Sequence, residues 1–152
     1  MTENEAIVGL SFLLGVILTI VIISLTVYVL LIIAMWKIFT KAGEKGWKSL
    51  IPLYNGYIYY KIAGMKNYFW IIICAALVYS ILQTVTQQNS TLMGIVGLIY
   101  GIFTIVIGII HSYKLSKAFD KGIGYTLGLI FLPNIFTLIL GFGKAKYVGN
   151  KE

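Results

Sequence analysis

The chain contains no arginine, one cysteine, one histidine and two prolines, and only five acidic residues stand against twelve lysines. Each shortage removes a class of protein. A single thiol, Cys74, cannot close a disulfide within the chain, and within Trp70-Ile71-Ile72-Ile73-Cys74-Ala75-Ala76 it reads as packing. One histidine, with no cluster of Cys, His or acid around it in sequence, supplies no metal ligand set, and no cofactor is expected. Charged residues make up 11% of the chain against 59% apolar ones, and the mean hydropathy is +0.92. That leaves too little polar surface to cover a water-soluble globule of 152 residues. In a soluble protein a net charge of +7 would suggest nucleic acid. Here the lysines gather at the ends of apolar runs, a pattern that belongs to membrane topology and anionic headgroups, so membrane lipids are the expected partner and nucleic acid is not.

What is present is four apolar runs, at about residues 6–36, 68–87, 92–113 and 125–142, giving an all-α polytopic membrane protein with one membrane domain. The first run has Glu3 and Glu5 rather than a basic start, and it is too long for a signal peptide. At about 1.5 Å per residue it measures roughly 45 Å, more than a hydrocarbon core of about 30 Å, so it must tilt or project. Ser11, Gly15, Thr19 and Thr26 give it a stripe of small residues. The second run carries Ala76, Ser80, Gln83 and Gln87 on one face, before the uncharged turn Gln88-Asn89-Ser90-Thr91. In the third, Gly94, Gly97, Gly101, Thr104, Gly108 and His111 recur at steps of three and four, one continuous seam for a neighbouring helix.

Two basic loops, about 37–66 and 114–124, separate these runs. Placing them in the cytoplasm puts the N-terminus outside a cytoplasmic membrane. The stretch at about 49–63 carries Tyr54, Tyr57, Tyr59 and Tyr60 around Pro52 and Asn55, too short and broken to span, and reads as an interfacial helix or a re-entrant dip. The last run is broken by Pro133-Asn134 and permits either a kinked helix or a hairpin. A full crossing sends Lys144, Lys146 and Lys151 outside, whereas a hairpin keeps every lysine inside. Length favours the crossing, so four spans are expected, with a re-entrant last segment as the alternative.

The two loops share a vocabulary. Thr40-Lys41-Ala42-Gly43-Glu44-Lys45-Gly46 and Ser116-Lys117-Ala118-Phe119-Asp120-Lys121-Gly122 each precede a proline-broken apolar segment, and Gly64, Lys66, Tyr68 find an echo in Gly143, Lys146, Tyr147. Two parallel units of helix, basic turn and broken segment would account for this, and so would the common chemistry of helix ends. The turn Lys41 to Trp47, Ile51-Pro52-Leu53-Tyr54-Asn55, Lys61-Ile62-Ala63-Gly64, Lys117 to Gly122, Phe131-Leu132-Pro133, Leu140-Gly141-Phe142-Gly143 and Tyr147 together resemble the DUF5684 type of small, uncharacterised bacterial membrane proteins. The resemblance covers about residues 30–149 and implies a multi-helix inner-membrane domain of unknown activity.

Some similar proteins carry a signal peptidase label. That chemistry needs a serine nucleophile, a desolvated lysine and a sizeable external domain; no Ser-x-Ser-Met occurs, and the lysines sit at basic interfaces. No catalytic residues and no enzyme activity are expected, although a catalytically silent domain associated with such a peptidase stays open. The leading reading is a membrane-embedded accessory or interaction module, a homo-oligomer or a subunit of a larger complex, held through Gly94, Gly97, Gly101 and Gly108. The competing reading is a small-solute or ion pathway built around the broken segments. It requires Asn55, Asn134 and His111 to share a wet cavity, against the plainer reading in which each satisfies local backbone. Lys41, Lys45, Lys48, Lys117 and Lys121 are the candidate contacts to anionic headgroups. Glu44 and Asp120 are expected to cap or pair locally.

Overall fold

The computed structural model describes residues 3–85 and 90–149. Gln87 and Gln88-Asn89 of the expected uncharged turn lie outside the described residues, as do Lys151 and Glu152. The described chain is helical with no strands: α1 Glu3–Lys41, a short 3-10 segment Gly46–Leu50, α2 Tyr54–Ile62, α3 Lys66–Val85, α4 Ser90–Ala118, α5 Ile123–Phe131 and α6 Pro133–Phe142. Three of these contain stretches long and apolar enough to cross a membrane: Ile7–Lys41, Lys66–Val85 and Thr91–Ala118.

The expected fourth crossing does not take that form. Leu132 ends α5 and Pro133 opens α6, where its missing N–H breaks no helical bond. The two halves then fold back on one another. In a continuous helix Gly128 and Phe136 would be about 12 Å apart, yet the Phe136 ring lies directly on Gly128, and the Tyr125 ring meets it edge-on at 5.0 Å. The Tyr125 hydroxyl also donates to the Phe136 carbonyl at 2.6 Å. The run is a helical hairpin, and the tail after it returns to the end it left: the Val148 N–H donates to the Ala118 carbonyl at 2.8 Å.

The stretch around Pro52 makes the same excursion by different means. Gly46 packs on the Trp36 indole, and Leu50 shares a groove with Val29 and Ile33, so the 3-10 segment runs back along α1. After the apex, Gly56 and Tyr57 lie against Phe69 as α2 climbs back antiparallel to α3. At the apex Leu53 has φ 65° and ψ −45°, and the Tyr54 N–H donates to the Pro52 carbonyl at 2.8 Å. That is a γ-turn of the positive-φ hand, a strained conformation for a leucine.

Both long helices that precede these hairpins end alike. At the close of α1, Gly43 has φ 78°, its N–H donates to Thr40, and the Glu44 N–H reaches back to Phe39. At the close of α4, Asp120 has φ 55°, its N–H donates to Lys117, and the Lys121 N–H reaches back to Ser116. Each is a Schellman ending with one residue in the left-handed region. The backbone pairs Gly43 with Asp120, one residue out of step with the pairing of letters. The later echo has no such match: Gly64 has φ 71°, whereas Gly143 is extended at φ −73°.

The dry core sits at the basic end of the molecule, where Ile38 and Phe39 of α1, Ile58 and Ile62 of α2, Leu115 of α4, Phe119 in the turn after it, Leu129 of α5 and Leu140 of α6 are all buried. Away from it the helices are bare. Every residue from Ile7 to Leu30 is exposed, and the hydroxyls of Ser11, Thr19 and Thr26 donate to carbonyls of their own helix at 2.8–2.9 Å. Cys74 is exposed on α3, not packed.

One close approach holds α6 to α1. A Cβ on Gly141 would lie 2.6 Å from Ala34 Cα and 2.7 Å from its Cβ, so the helices touch backbone to backbone. Gly141→Leu should therefore force the two helices apart and cost about 1–3 kcal/mol. Gly15→Leu, with nothing within 4 Å of the added atom, should cost little. Thermal unfolding of the two detergent-solubilised variants beside the wild type checks the contrast.

Candidate functional site

The turns after α1 and α4, the end of α2 and the tail bring polar chemistry to one end of the fold. Lys41, the last residue of α1, donates to the carbonyls of Leu140 at 2.6 Å and Gly143 at 2.7 Å. These belong to the last turn of α6 and the residue beyond it, where a helix leaves carbonyls without internal partners and favours a cation. Glu44, one residue past the left-handed Gly43, receives Lys48 at 2.5 Å and Lys61 at 2.7 Å. The first lysine is local and the second ties the turn to α2. Hydrogen bonds from Lys48 and Lys61 hold the Glu44 carboxyl below the usual carboxylate range. The Tyr147 hydroxyl donates to the Ile62 carbonyl at 3.2 Å while its ring meets Phe119 edge-on at 5.4 Å, so the tail bridges the ends of α2 and α4. The buried Ser116 hydroxyl donates to Gly122 at 3.1 Å and closes the second turn.

Two of the five lysines expected at headgroups are thus occupied inside the protein. Lys41 holds α6, and Lys48 shares Glu44 with Lys61, because each lies within reach of an acceptor in its own chain. Lys45 and Lys117 are exposed, Lys121 is half-buried, and the Lys117 ammonium lies 5.9 Å from the Tyr113 ring centre. Glu44 pairs as expected. Asp120 makes no ion pair among the described residues, because the one-residue shift in register places it at the left-handed position that Gly43 fills in the first turn.

The three polar residues of the transport reading occupy different surroundings. His111 is buried between the rings of Tyr59 and Tyr60, at 4.9 and 4.3 Å, and its Nε2 meets no partner among the described residues. Asn55 donates to the Ser49 carbonyl at 3.3 Å, a local backbone role near the apex. Asn134 is exposed in the first turn of α6. No hydrogen bond joins any two of them. Three or more His, Cys, Asp or Glu residues do not gather into a metal-ligating group among the described residues.

The α4 seam is not a single surface either. A Cβ on Gly97 would meet the Tyr79 hydroxyl at 3.6 Å, while Gly94, Gly101 and Gly108 face open space. Steps of three and four average less than the helical repeat of about 3.6, so over five steps the seam drifts around α4 and splits between faces. The sequence reading missed the contact that joins α3 to α4, a parallel stack of Tyr79 on Tyr100 with centres 4.4 Å apart. An interfacial helix at 49–63 would leave its tyrosines at the surface, whereas the Tyr59 hydroxyl faces Thr137 of α6 at 3.4 Å. The signal available was the spacing of Tyr59 from Ile58 and Ile62, which puts it on the flank of the buried face of α2.

Residues 47–150 match a family model whose description is a family of unknown function, DUF5684. Neither a curated protein nor a solved structure matches the chain.

The Glu44 bonds predict an acid-sensitive fold. A carboxyl whose folded value is lowered contributes stability above its unfolded value, about pH 4.3, and loses it as pH falls through the lowered one. The midpoint of thermal unfolding should therefore hold from pH 7 to about 5 and drop below about pH 4. Glu44→Gln should start lower and lose most of that drop; an unchanged acid limb in the variant would assign the sensitivity elsewhere.

Proposed function

The chain belongs to the DUF5684 family, whose function is unknown, and from that premise we propose a non-enzymatic, multi-pass module of the cell membrane that works by associating with other chains. In this reading α1, α3 and α4 cross the bilayer, and the segments around Pro52 and Pro133 enter it and return. The N-terminus lies outside, and the two basic turns and the tail lie in the cytoplasm by the bias of lysine toward that side. The two units of helix, turn and proline hairpin are read as an internal duplication, supported by their matching Schellman endings and hairpins.

The observation that carries the association reading is the unfilled face of α4. Gly94, Gly101 and Gly108 leave open space at the positions where a side chain would stand, in a helix of 29 residues that otherwise touches its own chain mainly at its basic end and along α3. Small residues let two membrane helices approach closely, and dispersion between them outweighs their contacts with lipid. The partner is a second copy or the subunit of a larger complex. The internal engagement of Lys41, Glu44 and Lys48 favours a structural role for the basic end over a chemical one. The transport reading has no comparable observation behind it.

Gly101→Leu combined with Gly108→Leu should leave the fold intact, because both positions are open, and should convert an assembly into a monomer by mass measurement in detergent. Gly97→Leu is the poorer probe, since Tyr79 lies beside it. An assembly of unchanged mass in the double variant would remove α4 as the association face.

A further inference from the structure

The internal bonds of Lys41, Lys48 and Lys61 leave one well-placed lysine beside a cavity. Between α1 and the 3-10 segment lies a groove of about 510 Å³ lined by Val29, Ile32, Ile33, Trp36, Lys37 and Leu50, within the usual size range of ligand sites. Four of the six are aliphatic and form its floor. The other two stand together at the end nearest the basic turn. The Lys37 ammonium lies 4.3 Å from the Phe142 ring centre, a contact with the ring face that consumes none of its N–H donors. The Trp36 indole is 41% exposed and backed by Gly46, and its N–H meets no acceptor among the described residues.

The groove therefore has direction: an aliphatic trough that begins at Val29 and ends, two helical turns or about 12 Å later, in a cation and a free N–H donor. A phospholipid carries the same order of chemistry, acyl chain first and then phosphate. Resting on the membrane reading above, we infer that this groove holds one anionic phospholipid, its chain along Val29, Ile33 and Leu50 and its phosphate on Lys37 and Trp36. Charge decides the class of headgroup. Lys45 adjoins Gly46 and is exposed, and no carboxylate lines the groove, so a net negative headgroup gains attraction that a zwitterionic one does not. A second copy's apolar helix would fill the trough but give the indole N–H and the ammonium nothing to bind.

The test is native mass spectrometry of the full chain in a neutral detergent, titrated with phosphatidylglycerol or with phosphatidylcholine of the same acyl chains. The wild type should retain one phosphatidylglycerol in preference to phosphatidylcholine. Lys37→Gln should weaken phosphatidylglycerol retention about fivefold and phosphatidylcholine retention, whose phosphate carries its own counter-charge, by much less. Leu50→Trp should lower both by filling the trough, while Lys114→Gln, which removes the same charge elsewhere, should lower neither. Variants are compared at equal melting temperature so that a misfolded protein is not scored. Equal retention of the two lipids, or an equal loss from Lys114→Gln, would mean diffuse attraction and overturn the site. Displacement by millimolar inorganic phosphate would mean an anion site without a chain, and a doubled mass that excludes lipid would mean a second copy in the groove. Each outcome is distinct from a failed membrane reading, in which neither lipid is retained by any variant.

Discussion

The ammonium of Lys41 sits on the carbonyls of Leu140 and Gly143, and the way the last third of the chain is arranged depends on it. A helix that ends within an apolar environment leaves carbonyls that neither lipid nor its own turns can satisfy. The last residue of α1 supplies the donors, which requires α6 to finish beside the end of α1. With α5 starting just after the end of α4, both ends of the hairpin lie at the basic end of the fold, so residues 125–142 leave that end and return to it. Gly141 on Ala34 then brings the two backbones close enough for the lysine to reach.

From this constraint the rest of the basic end follows. The tail emerges on the side where α2 and α4 also end, so Tyr147 can donate to Ile62 and Val148 to Ala118. Glu44 draws the first turn onto α2 through Lys61. The result is a rigid polar end joined to long apolar helices that make few contacts of their own. Its Glu44 carboxylate, the tail Tyr147 and three lysines, Lys41, Lys48 and Lys61, serve internal bonds. Two open surfaces lie beyond it, the aliphatic trough beside α1 and the face of α4 that carries Gly94, Gly101 and Gly108.

Much of this was legible in the sequence, at the level where composition and periodicity speak. The long helices, the lysine-rich turns and the halt at each proline follow from hydropathy, charge and the chemistry of proline. Two things were out of reach. Whether 18 apolar residues cross or return depends on Tyr125 finding Phe136 and Lys41 finding Leu140, contacts between residues 11 and 99 apart that no local pattern encodes. The fate of individual lysines was equally hidden, since Lys41 and Lys37 look alike as letters and differ only in which carbonyls lie within reach. The glycine seam misled in a different way: a step pattern averaging under 3.6 looks continuous on paper and drifts around the helix in space.

The claim on which the account turns is that the basic turn after α4 and the tail after α6 lie on the same side of the membrane. Asp120→Cys and Lys146→Cys, each in a Cys74→Ser background, can be treated in intact expressing cells with a maleimide that does not cross the membrane, before and after permeabilisation. The account predicts that both cysteines are silent in intact cells and that both react once the membrane is opened. Labelling of Lys146→Cys in intact cells while Asp120→Cys stays silent would mean that the last segment crosses, and would contradict it.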